Sequence, residues 1–164
     1  MTVSKSVIYI FITSLLYQVF HWIEHLAQVW QHWVLSIPAS ASHGILFFFD
    51  FEWNHFTFNT LYLVGLLTVF IKLIPLRKLH ALAFFMLLIG IIVQGYHEVE
   101  HVAKIIQHIT RNCEPCPGIL GNFLDGVYFH FALNTTVLLF PLIAFFAYGF
   151  HRQILPKNAP PFSP

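Results

Sequence analysis

Four stretches of this chain, 7–34, 55–74, 79–106 and 126–150, are predominantly apolar over lengths that suit a membrane. Crossing the hydrocarbon layer takes about 20 helical residues, so the pattern predicts four transmembrane helices. Polar residues enter the first of them with helical spacing. On an α-helix turning about 100° per residue, Gln18, His21, Glu24, His25, Gln28, Gln31 and His32 fall within roughly 140° of one another and form one stripe. Such a stripe has to face other helices or an internal cavity, because ionisable groups are costly against hydrocarbon. The first helix is expected to end before Pro38, and the second to run from near His55 to near Pro75. Arg77, Lys78 and His80 then make a tight turn into the third, where Gly90 and Gly95 would let a neighbouring backbone approach closely.

The stripe recurs. Gln18, His21, Glu24, His25, Ala27, Gln31 and His32 return 76 residues later as Gln94, His97, Glu100, His101, Ala103, Gln107 and His108. A second shared set follows each copy. Gly44, Ile45, Leu46, Asp50, His55, Phe56, Asn59 and Thr60 recur as Gly118, Ile119, Leu120, Asp125, His130, Phe131, Asn134 and Thr135, offset by 74 before the Asp and 75 from it onward. The chain therefore reads as a single membrane domain, 1–164, built from two repeats, 5–75 and 78–150. Each repeat holds two spans, so both share an orientation and should be related by a pseudo-twofold axis along the membrane normal. The expected fold is an all-α integral membrane protein, a four-transmembrane-helix bundle running up-down-up-down like a fused homodimer.

Composition agrees with a bilayer. Hydrophobic residues make up 57% of the chain and charged residues 9%, with a mean hydropathy of +0.70; soluble domains carry about a quarter charged residues. The first apolar run continues into the polar motif with no small-residue cleavage site, so it reads as a retained helix and not a signal peptide. Lys5, Lys72, Arg77, Lys78, Arg152 and Lys157 flank the N-terminus, the middle connection and the C-terminus, leaving Lys104 and Arg111 on the other side. By the positive-inside rule both termini are expected in the cytoplasm. His21, His55, His97 and His130 then lie roughly 24 to 33 Å from the nearest cytoplasmic cation, at about 1.5 Å per residue, and share one extracytoplasmic level. The net charge of +1 leaves no basic patch for nucleic acid, and the expected partners are the lipid bilayer and other membrane subunits. Cys113 and Cys116 fall in the outer connection, where oxidising surroundings favour a local disulfide.

His21-x-x-Glu24-His25 puts two imidazoles at i and i+4 on one helix, a spacing that offers two ligands to one ion. The order His-x-x-Glu-His resembles that of the inverzincin zinc peptidases, a likeness of ligand geometry over five residues. Imidazole suits a transition metal such as Fe, Cu or Zn, whereas Ca and Mg prefer oxygen. The candidate ligands are His21, His25, His97 and His101, completed by His55 and His130 and by the carboxylates Glu24, Glu100, Asp50 and Asp125. They would hold one ion on the pseudo-axis or two across it. This inventory resembles the di-metal sites of membrane oxygenases and hydroxylases, which implies oxygen or redox chemistry on a small or lipophilic substrate. Haem fits less well, because no Cys-x-x-Cys-His occurs and the glutamates beside the imidazoles suit an ion better than a porphyrin face. Gln18, Gln94, Asn59 and Asn134 are expected to bond the second ring nitrogens. His32 and His108 read as surface or access-path groups. Two other functions fit the pattern: a non-catalytic subunit of a larger membrane complex holding haem, chlorin or quinone, and metal transport.

Overall fold

The computed structural model describes residues 3–46 and 51–154. Asp50, the aromatic run from Phe47 to Phe49 and Lys157 lie outside the described residues. The fold is all helical: α1 is Lys5–Val29, α2 Glu52–Leu73, α3 Ala81–Arg111, α4 Gly126–Ala147, and a short α5 spans Phe150–Ile154. The first four are long and apolar enough to cross a membrane. Each packs on two neighbours, α1 and α3 both lying against α2 and α4.

The interior divides into an apolar end and a polar end. The apolar end takes Phe11 and Leu15 from α1, Leu66, Val69 and Leu73 from α2, Ala83 and Leu87 from α3, and Val137, Ala144 and Phe145 from α4. Between lipid tails that are themselves apolar, such residues hold helices together by close packing rather than by escape from water. Backbone approach shows this at one point: a Cβ on Gly90 would lie 2.7 Å from Pro141 Cγ, so α3 and α4 meet where α3 has no side chain. The same expectation does not hold for Gly95, which has nothing within 4 Å of that position. The Tyr62 hydroxyl, buried in this layer, donates to the Val137 carbonyl at 2.8 Å and ties α2 to α4.

The first helix ends before Pro38 and α4 begins at Gly126 as expected, whereas the start of α2 and the end of α3 differ, and each end has a local reason. After Val29 the first helix widens into a π-helical turn, Trp30–Val34, and Ser36 at φ 56° turns the chain away ahead of Pro38. α2 begins at Glu52, ahead of His55, because a carboxylate in the first turn complements the partial positive charge of a helix N-terminus. α3 runs on past residue 106 to Arg111, where Asn112 adopts the left-handed conformation at φ 50° and its N–H bonds the His108 carbonyl. Asp125 caps α4 by accepting from the Tyr128 N–H at 2.9 Å. Cys113 and Cys116 form a disulfide.

Candidate metal centre

The polar end is built in three layers. Deepest is a pair of amide bridges. Gln18 Nε2 donates to Asn134 Oδ1 at 2.8 Å, joining α1 to α4, and Gln94 Nε2 donates to Asn59 Oδ1 at 2.9 Å, joining α3 to α2. Asn59 and Asn134 in turn donate to the backbone carbonyls of His55 and His130, at 2.9 and 3.0 Å. These four side chains bond one another and the backbone where ring nitrogens were the expected partners.

Above them lie the histidines. Among the described residues, two groups could hold a metal ion: His21, His25 and His55, and His97, His101 and His130, every one buried. Within each group one ligand atom per residue lies within 4.8 Å of the others. Two helices suffice for each triad: the i, i+4 pair comes from α1 or α3, and the third ring from α2 or α4. The triads interdigitate. The His55 ring stacks on His101 with centroids 5.5 Å apart, and His25 faces His130 at 6.0 Å.

Partners sort the ring nitrogens of three histidines, while Nδ1 of His21, His97 and His101 is buried with no hydrogen-bond partner among the described residues. His25 Nδ1 lies 2.7 Å from Gln28 Oε1, His130 Nδ1 lies 3.1 Å from the Gly126 carbonyl, and His55 bonds the Phe51 backbone one turn earlier on its helix. A carbonyl oxygen can only accept, so Nδ1 of His25 and His130 carries the proton and a neutral ring keeps its lone pair on Nε2. His130 Nε2 is buried with no hydrogen-bond partner among the described residues. The Nε2 atoms of His21 and His25 are 3.3 Å apart, and those of His97 and His101 are 3.1 Å apart. Nitrogens that close need a proton or a cation between them. Two nitrogens bound tetrahedrally to one ion at about 2.0–2.1 Å sit about 3.3 Å from each other.

The outer layer anchors the loops. Glu24 Oε2 accepts from the N–H groups of Ile45 at 2.8 Å and Leu46 at 3.1 Å. Glu100 does the same for Ile119 at 2.7 Å and Leu120 at 3.1 Å, and also accepts from the Tyr96 hydroxyl. Gln31 exchanges two hydrogen bonds with the Gly44 backbone, 2.8 and 3.0 Å, and Gln107 exchanges two with Gly118, 2.7 and 2.8 Å. Both glycines are left-handed, at φ 75° and 74°, and a Cβ on either would meet the glutamate oxygen at 2.6 or 2.5 Å. Only glycine satisfies both constraints. His32 and His108 bond the carbonyls of Ile37 and Cys113, each at 2.8 Å, closing the ends of their helices. The structure thus brings together all six histidines of the expected ligand set. It places Glu24 and Glu100 on the loop backbones, and Asp125 at the α4 cap, 3.2 Å from His32 Nε2.

Two charged side chains beside the triads escaped the sequence pattern. Glu52, 4% exposed, has Oε1 3.5 Å from Lys104 Nζ and Oε2 4.0 Å from His101 Nδ1. Its only signal is its position one turn ahead of His55. Val127 stands at its corresponding position, and Gln28 stands at that of Lys104, so a search for recurring residues passes over both. Glu52 and Lys104 line a cavity of about 210 Å³ bounded by His25, His55, His101 and His130 and, among the loops, by Ser40, Ser42, Pro115 and Pro117. A water molecule's share of liquid volume is about 30 Å³, so the cavity suits a small molecule. Comparison with protein families, curated proteins and solved structures gave no match. Fold and site together define a helical protein with four potential membrane spans and two buried histidine triads able to hold metal.

Proposed function

We propose that this is a multi-pass membrane protein whose six histidines hold a dinuclear transition-metal centre of Fe, Cu or Zn at the extracytoplasmic end of the bundle. The observation that carries this reading is the pair of buried histidine triads, in each of which the i, i+4 rings bring their Nε2 atoms to 3.3 or 3.1 Å, with Nδ1 of His25 and His130 bonded outward to carbonyl oxygens. An up-down-up-down bundle of two repeats is supported by the matching bonds at corresponding positions, Gln18 to Asn134 against Gln94 to Asn59, and Gln31 to Gly44 against Gln107 to Gly118. It is also supported by an apolar end drawn from the earlier halves of α1 and α3 and the later halves of α2 and α4. Bound ions would supply Lewis-acid or redox chemistry to a molecule in the cavity. The protein's own part is to fix the imidazole tautomers of His25 and His130, close the deep side with the amide bridges, and leave at the loop end a cavity of about 210 Å³, a volume that suits a small substrate.

Elemental analysis of detergent-purified protein, with optical spectra, should find about two ions per chain, the capacity of two three-imidazole sites. A porphyrin or chlorin spectrum without metal stoichiometry would instead make the protein a cofactor-holding subunit. Orientation is tested through the loop disulfide. After reduction in intact cells, a membrane-impermeant thiol reagent should label Cys113 and Cys116, and labelling confined to inverted vesicles would place the site at the cytoplasmic face.

Acid should strip the metal. A ligating nitrogen must be free of its proton, and with an ordinary His pKa of about 6.5 several rings compete for protons at once, so occupancy should fall steeply below roughly pH 6. The sign is that metal-dependent stabilisation is present at higher pH and lost as pH falls. Melting temperatures with and without added Zn, Cu or Fe across about pH 5 to 8 measure it, and no metal effect anywhere in that range would count against the centre.

A further inference from the structure

The two triads differ in the group that faces the second histidine. In the first, the amide oxygen of Gln28 accepts from His25 Nδ1 at 2.7 Å. The corresponding residue in the second is Lys104, whose ammonium has no acceptor to offer. His101 Nδ1 is buried with no hydrogen-bond partner among the described residues, and the nearby carboxylate is that of Glu52, arriving from α2 with Oε2 4.0 Å away. Lys104 Nζ stands 3.5 Å from the other oxygen of the same carboxylate. Where the second repeat has no acceptor on α3, α2 brings a carboxylate to ion-pair distance of the ring rather than to hydrogen-bond distance, and the lysine holds its other oxygen.

We propose, resting on the dinuclear reading above, that Glu52 is the positioning residue of His101, and that the His97, His101 and His130 triad therefore binds its metal ion more tightly than the His21, His25 and His55 triad. A carboxylate that accepts from the outer nitrogen of an imidazole fixes its tautomer and makes the inner nitrogen a stronger donor; a neutral amide does so less. Lys104 offsets the charge of Glu52, so the carboxylate can be buried while its second oxygen turns to the ring. The two ions consequently occupy unlike sites in an otherwise corresponding pair, one backed by a charged acceptor and one by a neutral acceptor.

The test is a Co(II) and Zn(II) titration of metal-stripped full-length protein in detergent, followed by ligand-field absorption and chelator competition. Wild type should load in two resolved steps, and His97→Ala should remove the tighter step while His21→Ala removes the weaker. Glu52→Ala should weaken the tight step by about 10- to 100-fold, the usual loss when a ligand's outer partner is removed. Glu52→Gln, which supplies a neutral acceptor like Gln28, should bring the two steps together, and Gln28→Glu should do so from the other side by strengthening the weaker one. Melting temperature without metal confirms that each variant is folded, and Gln28→Glu keeps the test decisive if the Glu52 variants are not. Two indistinguishable steps in wild type, or a tight step unmoved by both Glu52→Gln and Glu52→Ala, overturns the assignment. Failure of the folded wild type to bind any metal sinks the dinuclear reading itself, a separate result.

Discussion

Alanine in place of His25 should leave the purified protein holding one metal ion, and alanine in place of His101 should do the same. Each ring is one of three nitrogen donors in its triad, and each is fully enclosed. Structural zinc sites with four ligands bind with about 10–16 kcal/mol, or about 3 kcal/mol per ligand, so losing one donor should weaken that ion on the order of 100- to 1,000-fold. The other triad keeps its three rings, because no histidine is shared between the two groups. His80→Ala provides the control. Its ring lies at the opposite end, 5.3 Å from that of Tyr148, and the variant should retain both ions. Elemental analysis and chelator competition read the result directly. If folded His25→Ala protein keeps two ions at wild-type affinity, the triads are not the ligand set.

The six histidines were legible because hydrocarbon penalises polar groups, so an ionisable stripe within an apolar run marks the inward face of its helix by residue type and spacing alone. Recurrence then paired His55 with His130 across a connection too irregular to read by periodicity. For the glutamates the same two signals point to ligands, whereas the structure has both carboxylates accepting from loop N–H groups. Glu24 and Glu100 sit beside ligand-spaced histidines and recur, which is what metal ligands would do, yet recurrence preserves a loop anchor equally well. The difference lies in where the N–H groups of Ile45, Leu46, Ile119 and Leu120 point, and that depends on the left-handed turns at Gly44 and Gly118. Glu52 and Lys104 were invisible for the opposite reason: they break the recurrence, and their closeness depends on how α2 packs against α3. Sequence periodicity places residues on a face but does not say which of two carboxylates on neighbouring helices reaches a given ring.

Removing the loop anchors should damage stability far more than metal stoichiometry, and the two glutamates should not respond alike. Alanine at either position strips the acceptor from two backbone N–H groups. Hydrogen bonds to a charged group contribute about 1.5–3 kcal/mol each, so the loss should be about 3–6 kcal/mol per anchor. Glutamine separates them. Glu24 accepts both N–H groups on the single oxygen Oε2, so an amide oxygen in that place keeps both bonds, and Glu24→Gln should be mild. Glu100 uses both oxygens, Oε2 for Ile119 and Oε1 for Leu120 and the Tyr96 hydroxyl. Glu100→Gln therefore turns one acceptor into an NH₂ group facing donors, and should cost about 1–3 kcal/mol more than Glu24→Gln. Thermal unfolding in detergent compares the pair, and metal content measured well below the transition should stay at two ions per chain in both. Were the carboxylates ligands, both glutamine variants would release metal while still folded; that outcome would return Glu24 and Glu100 to the coordination sphere and leave the loops to be held by Gln31 and Gln107 with His32 and His108.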